Sequence, residues 1–165
     1  MTGITKIPFF GVERQYTNIR EEILDVTDQV YRSGQVLEGG ATDSFQLSIR
    51  KMTERKYGIA VNSGTQALVF ALRSIAHGQR NKVLIPAVSF IATVNSVLEA
   101  GYDPVFCDVN PVTGLIDLNK IPVHIEELAA VVYVNLYGNV IDYDKLTSYK
   151  ALWDQYDVQI GRAHV

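Results

Sequence analysis

Asn62-Ser63-Gly64-Thr65-Gln66-Ala67 is the stretch whose residue types and order could do chemistry, because a short β-prone run gives way to an apolar helix there. The first turn of a helix carries N–H groups without intrahelical acceptors and the positive end of the helix dipole, so it attracts anions. Gly64 permits close approach of a ligand to the backbone, and Ser63 and Thr65 add hydroxyls, a combination suited to a phosphate. The same residue types also serve as plain helix caps, and the motif alone leaves both readings open.

Two more segments are expected at the same edge of a sheet. Pro86-Ala87-Val88-Ser89-Phe90 follows an apolar run and opens a helix, and Asn135-Leu136-Tyr137-Gly138-Asn139 follows another. Ligands of open α/β sheets bind at the carboxyl ends of the strands. Phe90 could lie against a planar aromatic cofactor, although periodicity alone reads it as an ordinary core aromatic. The Tyr137 segment reads equally as a plain strand-to-helix turn. Asp108 and Asp117 are read as turn and cap residues, since nothing in their spacing makes an acid–base pair. His77 and His124 lack partner cysteines or a spaced second histidine and are read as solvent-exposed, so no metal site is expected.

The elements that must position these groups follow from hydrophobic periodicity. Ile19, Ile23, Val26 and Val30 form one helical stripe, stopped by Gly34. A second helix is expected from a cap at Thr42 or Asp43 through Phe45, Ile49 and Met52, until Gly58 breaks it. Strand and helix then alternate: strand 59–61, helix 67–76, strand 83–85, helix 91–100 closed by Gly101, strands 104–109 and 129–135, and a helix over 142–156. That rhythm predicts an α/β fold, strands and helices alternating around a mostly parallel sheet.

Bulk properties narrow the function classes. A hydrophobic fraction of 47% over 165 residues supplies a real core, and the net charge of -3 is scattered without a basic stripe, which argues against nucleic acid. The longest apolar run, 128–134, is too short to span a bilayer, and residues 1–10 resemble neither a signal peptide nor an anchor. Cys107, the single cysteine, excludes an internal disulfide, and a cytoplasmic setting is expected.

Read in order, the segments resemble the DegT/DnrJ/StrS sugar aminotransferases, pyridoxal-phosphate enzymes of fold type I, up to about Asp157. The collinear match runs through Ile7-Pro8-Phe9, Arg14-Gln15-Tyr16, Ser33-Gly34-Gln35-Val36-Leu37-Glu38-Gly39, and the segment from Ala60 to Leu68 that holds Ser63-Gly64-Thr65. It continues through Val83-Leu84-Ile85-Pro86, Ser89-Phe90-Ile91-Ala92-Thr93, Pro104-Val105-Phe106, Asp108-Val109 and Leu136-Tyr137-Gly138. Ser44-Phe45-Gln46 stands where the family usually has Phe-Glu, and Asn135 where histidine is common. These departures bear on substrate rather than on membership.

The resemblance implies a partial large domain of the aspartate-aminotransferase-like fold, with pyridoxal 5'-phosphate as cofactor. It implies that Ser63, Gly64 and Thr65 hold the cofactor phosphate, that Phe90 stacks on the pyridine ring, and that Gln35 and Tyr137 lie near the substrate pocket. The activity implied is transfer of an amino group from glutamate or glutamine to a nucleotide-linked keto-deoxysugar, by a homodimer. A sugar dehydratase of the same fold, with histidine in place of the Schiff-base lysine, a fold-type I enzyme with an amino-acid substrate, and a non-catalytic ligand-binding or regulatory α/β protein are the alternatives. The Schiff-base lysine and the carboxylate for the pyridine nitrogen are expected beyond residue 165, so no catalytic residue is assigned and the chain alone is expected to be inactive. Lys56, Lys120, Lys145 and Lys150 fall on polar faces or loops and are not candidates. The expected organisation is an N-terminal segment over 1–40 and a truncated cofactor-binding domain over 41–158. Residues 159–165 back-translate onto a common sequencing adapter and are read as a non-native tail, so Arg162 and His164 carry no functional weight.

Overall fold

The computed structural model describes residues 8–75, 78–156 and, as backbone alone, 159–164. Ile7, His77 and Asp157 lie outside the described residues, as do the side chains of Arg162 and His164. The chain forms two compact units, Met1–Ala60 and Val61–Val165. Among the described residues no helix is long and apolar enough to cross a membrane.

The first unit holds two helices. Helix α1, Val12–Ser33, ends as expected at Gly34, whose φ of 69° is the left-handed conformation that glycine adopts freely. None of its residues is buried, and Ile19, Ile23 and Val26 stay exposed along its apolar stripe. Helix α2, Gly40–Thr53, starts earlier than Thr42 or Asp43, because the Gly39 carbonyl accepts both of their N–H groups at 2.9 and 3.3 Å. Asp43 thus falls in the first turn, where its charge favours the helix dipole. A Cβ on Gly39 would stand 2.8 Å from the Gln35 carbonyl oxygen, so this turn requires glycine. The helix stops at Glu54, φ 53°, before Gly58 is reached.

Gln46 then accepts the Ala60 N–H at 2.9 Å, tying the following segment back to α2. The division between the two units falls after Ala60. Residues 59–61 are not a strand: they pair with nothing in a sheet, and Ile59 is 82% exposed. β propensity without a neighbouring strand makes no ladder.

The second unit carries the expected parallel sheet. Strands β1 (Lys82–Pro86), β2 (Asp103–Cys107), β3 (Leu128–Asn135) and β4 (Gln159–His164) lie in the order β2-β1-β3-β4, each adjacent pair parallel. Helices α3 (Gly64–Arg73), α4 (Ile91–Glu99) and α5 (Tyr143–Gln155) connect or flank them. Asp142 caps α5 by accepting the Asp144 N–H at 2.9 Å. On one face Val83, Ile85, Val132 and Val134 pack with Leu72 of α3 and Val97 of α4. On the other, Leu84 and Val131 pack with Trp153 of α5 and with Ile116 and Leu118. Side chains alternate between faces along a strand, so a strand covered on both sides needs an unbroken apolar run, which 128–134 supplies. Where Lys82 pairs Leu128 and Val83 pairs Ala130, a register shift absorbs Ala129.

Cys107 closes β2 at 1% exposure and donates from Sγ to the Asp117 carbonyl at 3.3 Å. Burial, aided by the charges of Asp117 and Asp108, pushes its thiol from 9.0 up to about 11. The folded chain therefore keeps a proton that the unfolded chain releases, and stability falls as pH rises from 9.0 towards 11. Near pH 8, iodoacetamide should alkylate native Cys107 roughly 100-fold more slowly than the urea-unfolded chain. Equal rates would contradict the buried placement.

Candidate functional site at the carboxyl edge of the sheet

Ser63 precedes α3 in extended conformation, φ -160° and ψ 158°, and caps it: its Oγ accepts the Gln66 N–H at 3.2 Å and its carbonyl accepts Ala67 N–H at 3.0 Å. Among the described residues the N–H groups of Gly64 and Thr65 have no acceptor. A Cβ placed on Gly64 meets nothing within 4 Å, so the space in front of this turn is open. Two free N–H donors, an open approach and the positive end of a helix dipole fit an anionic oxygen cluster such as a phosphate. Ser63 is therefore a cap, and the cap leaves the anion-binding donors of its neighbours available.

Helix α4 shares this direction. The Thr65 carbonyl faces Ser96 and the Leu72 carbonyl faces the Tyr102 hydroxyl, so α3 and α4 run side by side in the same direction, the first turn of α3 beside the middle of α4. Since α4 follows β1 through the turn at residues 87–90, both N-termini point to the carboxyl edge of the sheet. The Ala87 N–H donates to the Cys107 carbonyl at 2.8 Å and holds the turn against β2. Phe90 is the N-cap position of α4 and is 57% exposed, so it is not the core aromatic that periodicity suggests. More than half of its surface is open to solvent. Below it Ser89 and Thr93 join their hydroxyls at 2.8 Å.

Strand β3 ends at the same edge. Asn135 is 3% exposed, whereas Tyr137 is 91% exposed and sits at φ 53° and ψ 27°. A side chain in this left-handed region costs of order 1 kcal/mol, and no packing of the Tyr137 ring offsets it. Gly138 at φ 83° completes the turn, and Asn139 Nδ2 donates to the Thr113 carbonyl at 2.9 Å. Gly64, Thr65, Phe90 and Tyr137 thus share one edge. Gln35 belongs to the first unit, where it lines an open cleft of about 560 Å³ with Val26, Val30 and Ser33.

Three features escaped the sequence. Lys120 bridges the two aspartates, at 2.8 Å from Asp108 and 3.9 Å from Asp117, so the fold gathers charges that spacing kept apart. The hydrogen bond from Lys120 holds the Asp108 carboxyl below its ordinary range, so this exposed pair is lost as pH falls through that lowered value. Asp108 and Asp117 still act as turn and cap, accepting the N–H groups of Val109 and Asn119. Thr93 and Ser96, buried hydroxyls on α4, were legible only as polar residues three apart inside an apolar helix. Across the sheet a second cavity of about 360 Å³ lies between residues 110–119 and the start of α5, lined by Asp117, Asp142, Lys145 and Tyr149.

Residues 17–160 match the sequence profile of the DegT/DnrJ/EryC1/StrS aminotransferase family. A pleiotropic regulatory protein of Geobacillus stearothermophilus is 31% identical over 143 residues, which is 86% of this chain and 38% of that protein. The 3-oxo-glucose-6-phosphate:glutamate aminotransferase of Bacillus subtilis is 35% identical over 141 residues, 84% of this chain and 32% of its own. The crystal structure of NtdA from Bacillus subtilis with bound cofactor PMP superposes with a TM-score of 0.83 at 28% identity, covering 97% of this chain and 37% of NtdA. The chain thus spans between 32% and 38% of the length of these proteins.

Two substitutions at this edge should move stability in opposite directions. Ser63→Ala removes the cap of α3 and should cost about 1 kcal/mol in urea unfolding. Tyr137→Gly relieves a left-handed backbone and should leave stability unchanged or raise it by up to about 1 kcal/mol. A loss on Tyr137→Gly would show that the ring packs in a way the described residues do not reveal.

Proposed function

The chain belongs to the DegT/DnrJ/EryC1/StrS aminotransferase family, and from that premise we propose that it supplies the phosphate-holding end of a pyridoxal-phosphate site in a sugar aminotransferase. The observation that carries the reading is the first turn of α3, with its two acceptor-free N–H groups and the open space before Gly64. It agrees with the bound PMP of NtdA, whose fold this chain shares. Among the described residues the lysines are exposed or half-buried: Lys120 and Lys150 are ion-paired with aspartates, and Lys82 pairs with Glu127. None is a desolvated amine of the kind that holds an aldehyde cofactor.

Pyridoxal phosphate, when bound, supplies the electron sink through which an amino group is passed. The chain's own residues bind and orient. Ser63 fixes the helix start, Gly64 and Thr65 donate N–H groups to the phosphate, and Phe90 covers one face of the ring and keeps water from it. Tyr137 is held at the substrate side by its turn, while Gln35 is retained as a substrate residue on its motif alone. The amino acceptor is a keto sugar and the donor glutamate or glutamine, in line with the name of the Bacillus subtilis relative. A nucleotide on that sugar is what the motif resemblance adds. A homodimer fits the uncovered apolar stripe of α1, and a cytoplasmic setting fits the buried free thiol.

The second reading, a ligand-binding regulator without chemistry, is favoured by the name of the Geobacillus stearothermophilus relative. Both readings require phosphate recognition. This chain should bind pyridoxamine phosphate about tenfold or more tightly than pyridoxamine, measured by ligand fluorescence, and should show no transamination alone. Equal affinity for the two ligands would remove the phosphate site. Turnover by the chain alone would overturn the assignment of the reactive lysine to elsewhere.

A further inference from the structure

Ser96 lies at the middle of α4 with 1% exposure and takes no part in the site described above. Its Oγ stands 2.6 Å from the Ala92 carbonyl of its own helix and 3.3 Å from the Thr65 carbonyl of α3. A hydroxyl carries one proton, so Ser96 shares it between a helical acceptor behind it and the first turn of its neighbour. Thr65 is one of the two residues whose N–H groups lack acceptors, and its carbonyl is fixed from the α4 side. Phe90 begins the same helix that holds Ser96. One rigid element thus carries the aromatic face and grips the turn that offers the phosphate donors.

We infer that Ser96 is a positioning residue, setting the direction of the Thr65 backbone and the spacing between the phosphate donors and Phe90. This rests on the reading of the α3 turn as a phosphate site. The other hydrogen bonds between α3 and the α4 segment fix different groups. Arg73 donates to the Glu99 carbonyl at 2.7 Å and Tyr102 donates to the Leu72 carbonyl at 3.1 Å, so they hold the body of α3 rather than its first turn. Gln66 Nε2 reaches Glu99 at 3.3 Å through a flexible, exposed side chain and fixes no backbone group. Removing the Ser96 hydroxyl leaves no orphan carbonyl, because the Thr65 carbonyl keeps its place in the helical ladder of α3. The change should therefore be felt as misdirected donors and not as unfolding.

The test compares pyridoxamine phosphate with pyridoxamine on three versions of the chain, each checked by urea unfolding. Ser96→Ala should weaken pyridoxamine phosphate by about three- to tenfold, leave pyridoxamine unchanged, and shift the unfolding midpoint little. Tyr102→Phe, which removes a buried hydrogen bond at the far end of the same helix pair, should lower the midpoint and keep the ligand ratio of the unsubstituted chain. If Ser96→Ala keeps that ratio, or weakens both ligands equally, the inference is wrong while the phosphate site stands. If the unsubstituted chain itself fails to distinguish the two ligands, the phosphate reading falls and the inference falls with it.

Discussion

Strand β3 is buried on both faces, and the rest of the second unit is arranged around that constraint. Past the register shift at Ala129 its even and odd residues face different layers, α3 and α4 on one side and α5 with the 118–127 segment on the other. With both faces sealed, backbone polar groups can stay unpaired only at the strand ends. The carboxyl ends are where the chain turns into α4 or into the Tyr137 loop, and where α3 points its N-terminus. An opening at this edge is therefore a by-product of sheet burial, and the residue types placed there decide what it could hold.

What was legible in the sequence was whatever local rules determine. The run 128–134 announced a buried strand, Gly34 announced the end of α1, and a helix starting near Asp142 was expected where α5 lies. The Ser63-Gly64-Thr65 turn was legible for the same reason: helix termini have fixed chemistry whatever surrounds them. Illegible features depended on partners distant in sequence. Residues 59–61 have the composition of a strand, but composition does not supply a neighbour to pair with. Helix α2 is the local exception: it started at Gly40 because the Gly39 carbonyl could collect two N–H groups, a choice of backbone geometry that outweighed the side-chain caps three and four residues on.

Asp108, Asp117 and Lys120 show the same limit in electrostatic form. Each sits in its own local turn, and the bridge between Val109 and Ile116 folds the intervening loop so that Lys120 reaches both carboxylates. The cluster is exposed, so water screens it and its contribution to stability is small. It does, however, place two negative charges and one positive beside a thiol that burial already keeps neutral, which makes Cys107 a core residue rather than a reactive one. Charge clusters are weak guides to function when their members already satisfy one another.

The opposite holds at the carboxyl edge, where groups are left unsatisfied. Gly64 and Thr65 offer donors without acceptors, Phe90 offers an uncovered ring, and Tyr137 holds a left-handed backbone with its side chain in solvent. Of these, only the left-handed Tyr137 backbone is a cost, borne without packing of its ring. Donors, an exposed ring and a strained turn gathered beside open space make this edge the place where a ligand would find partners. Among the described residues the lysines lie elsewhere, at the start of β1, on exposed helix faces, in the loop after α2 and in the Lys120 cluster, with none buried. Recognition and reactivity are thereby separable in this architecture: a helix terminus can hold a phosphate on the strength of its own first turn, whereas an activated amine needs a desolvated pocket that these residues do not build.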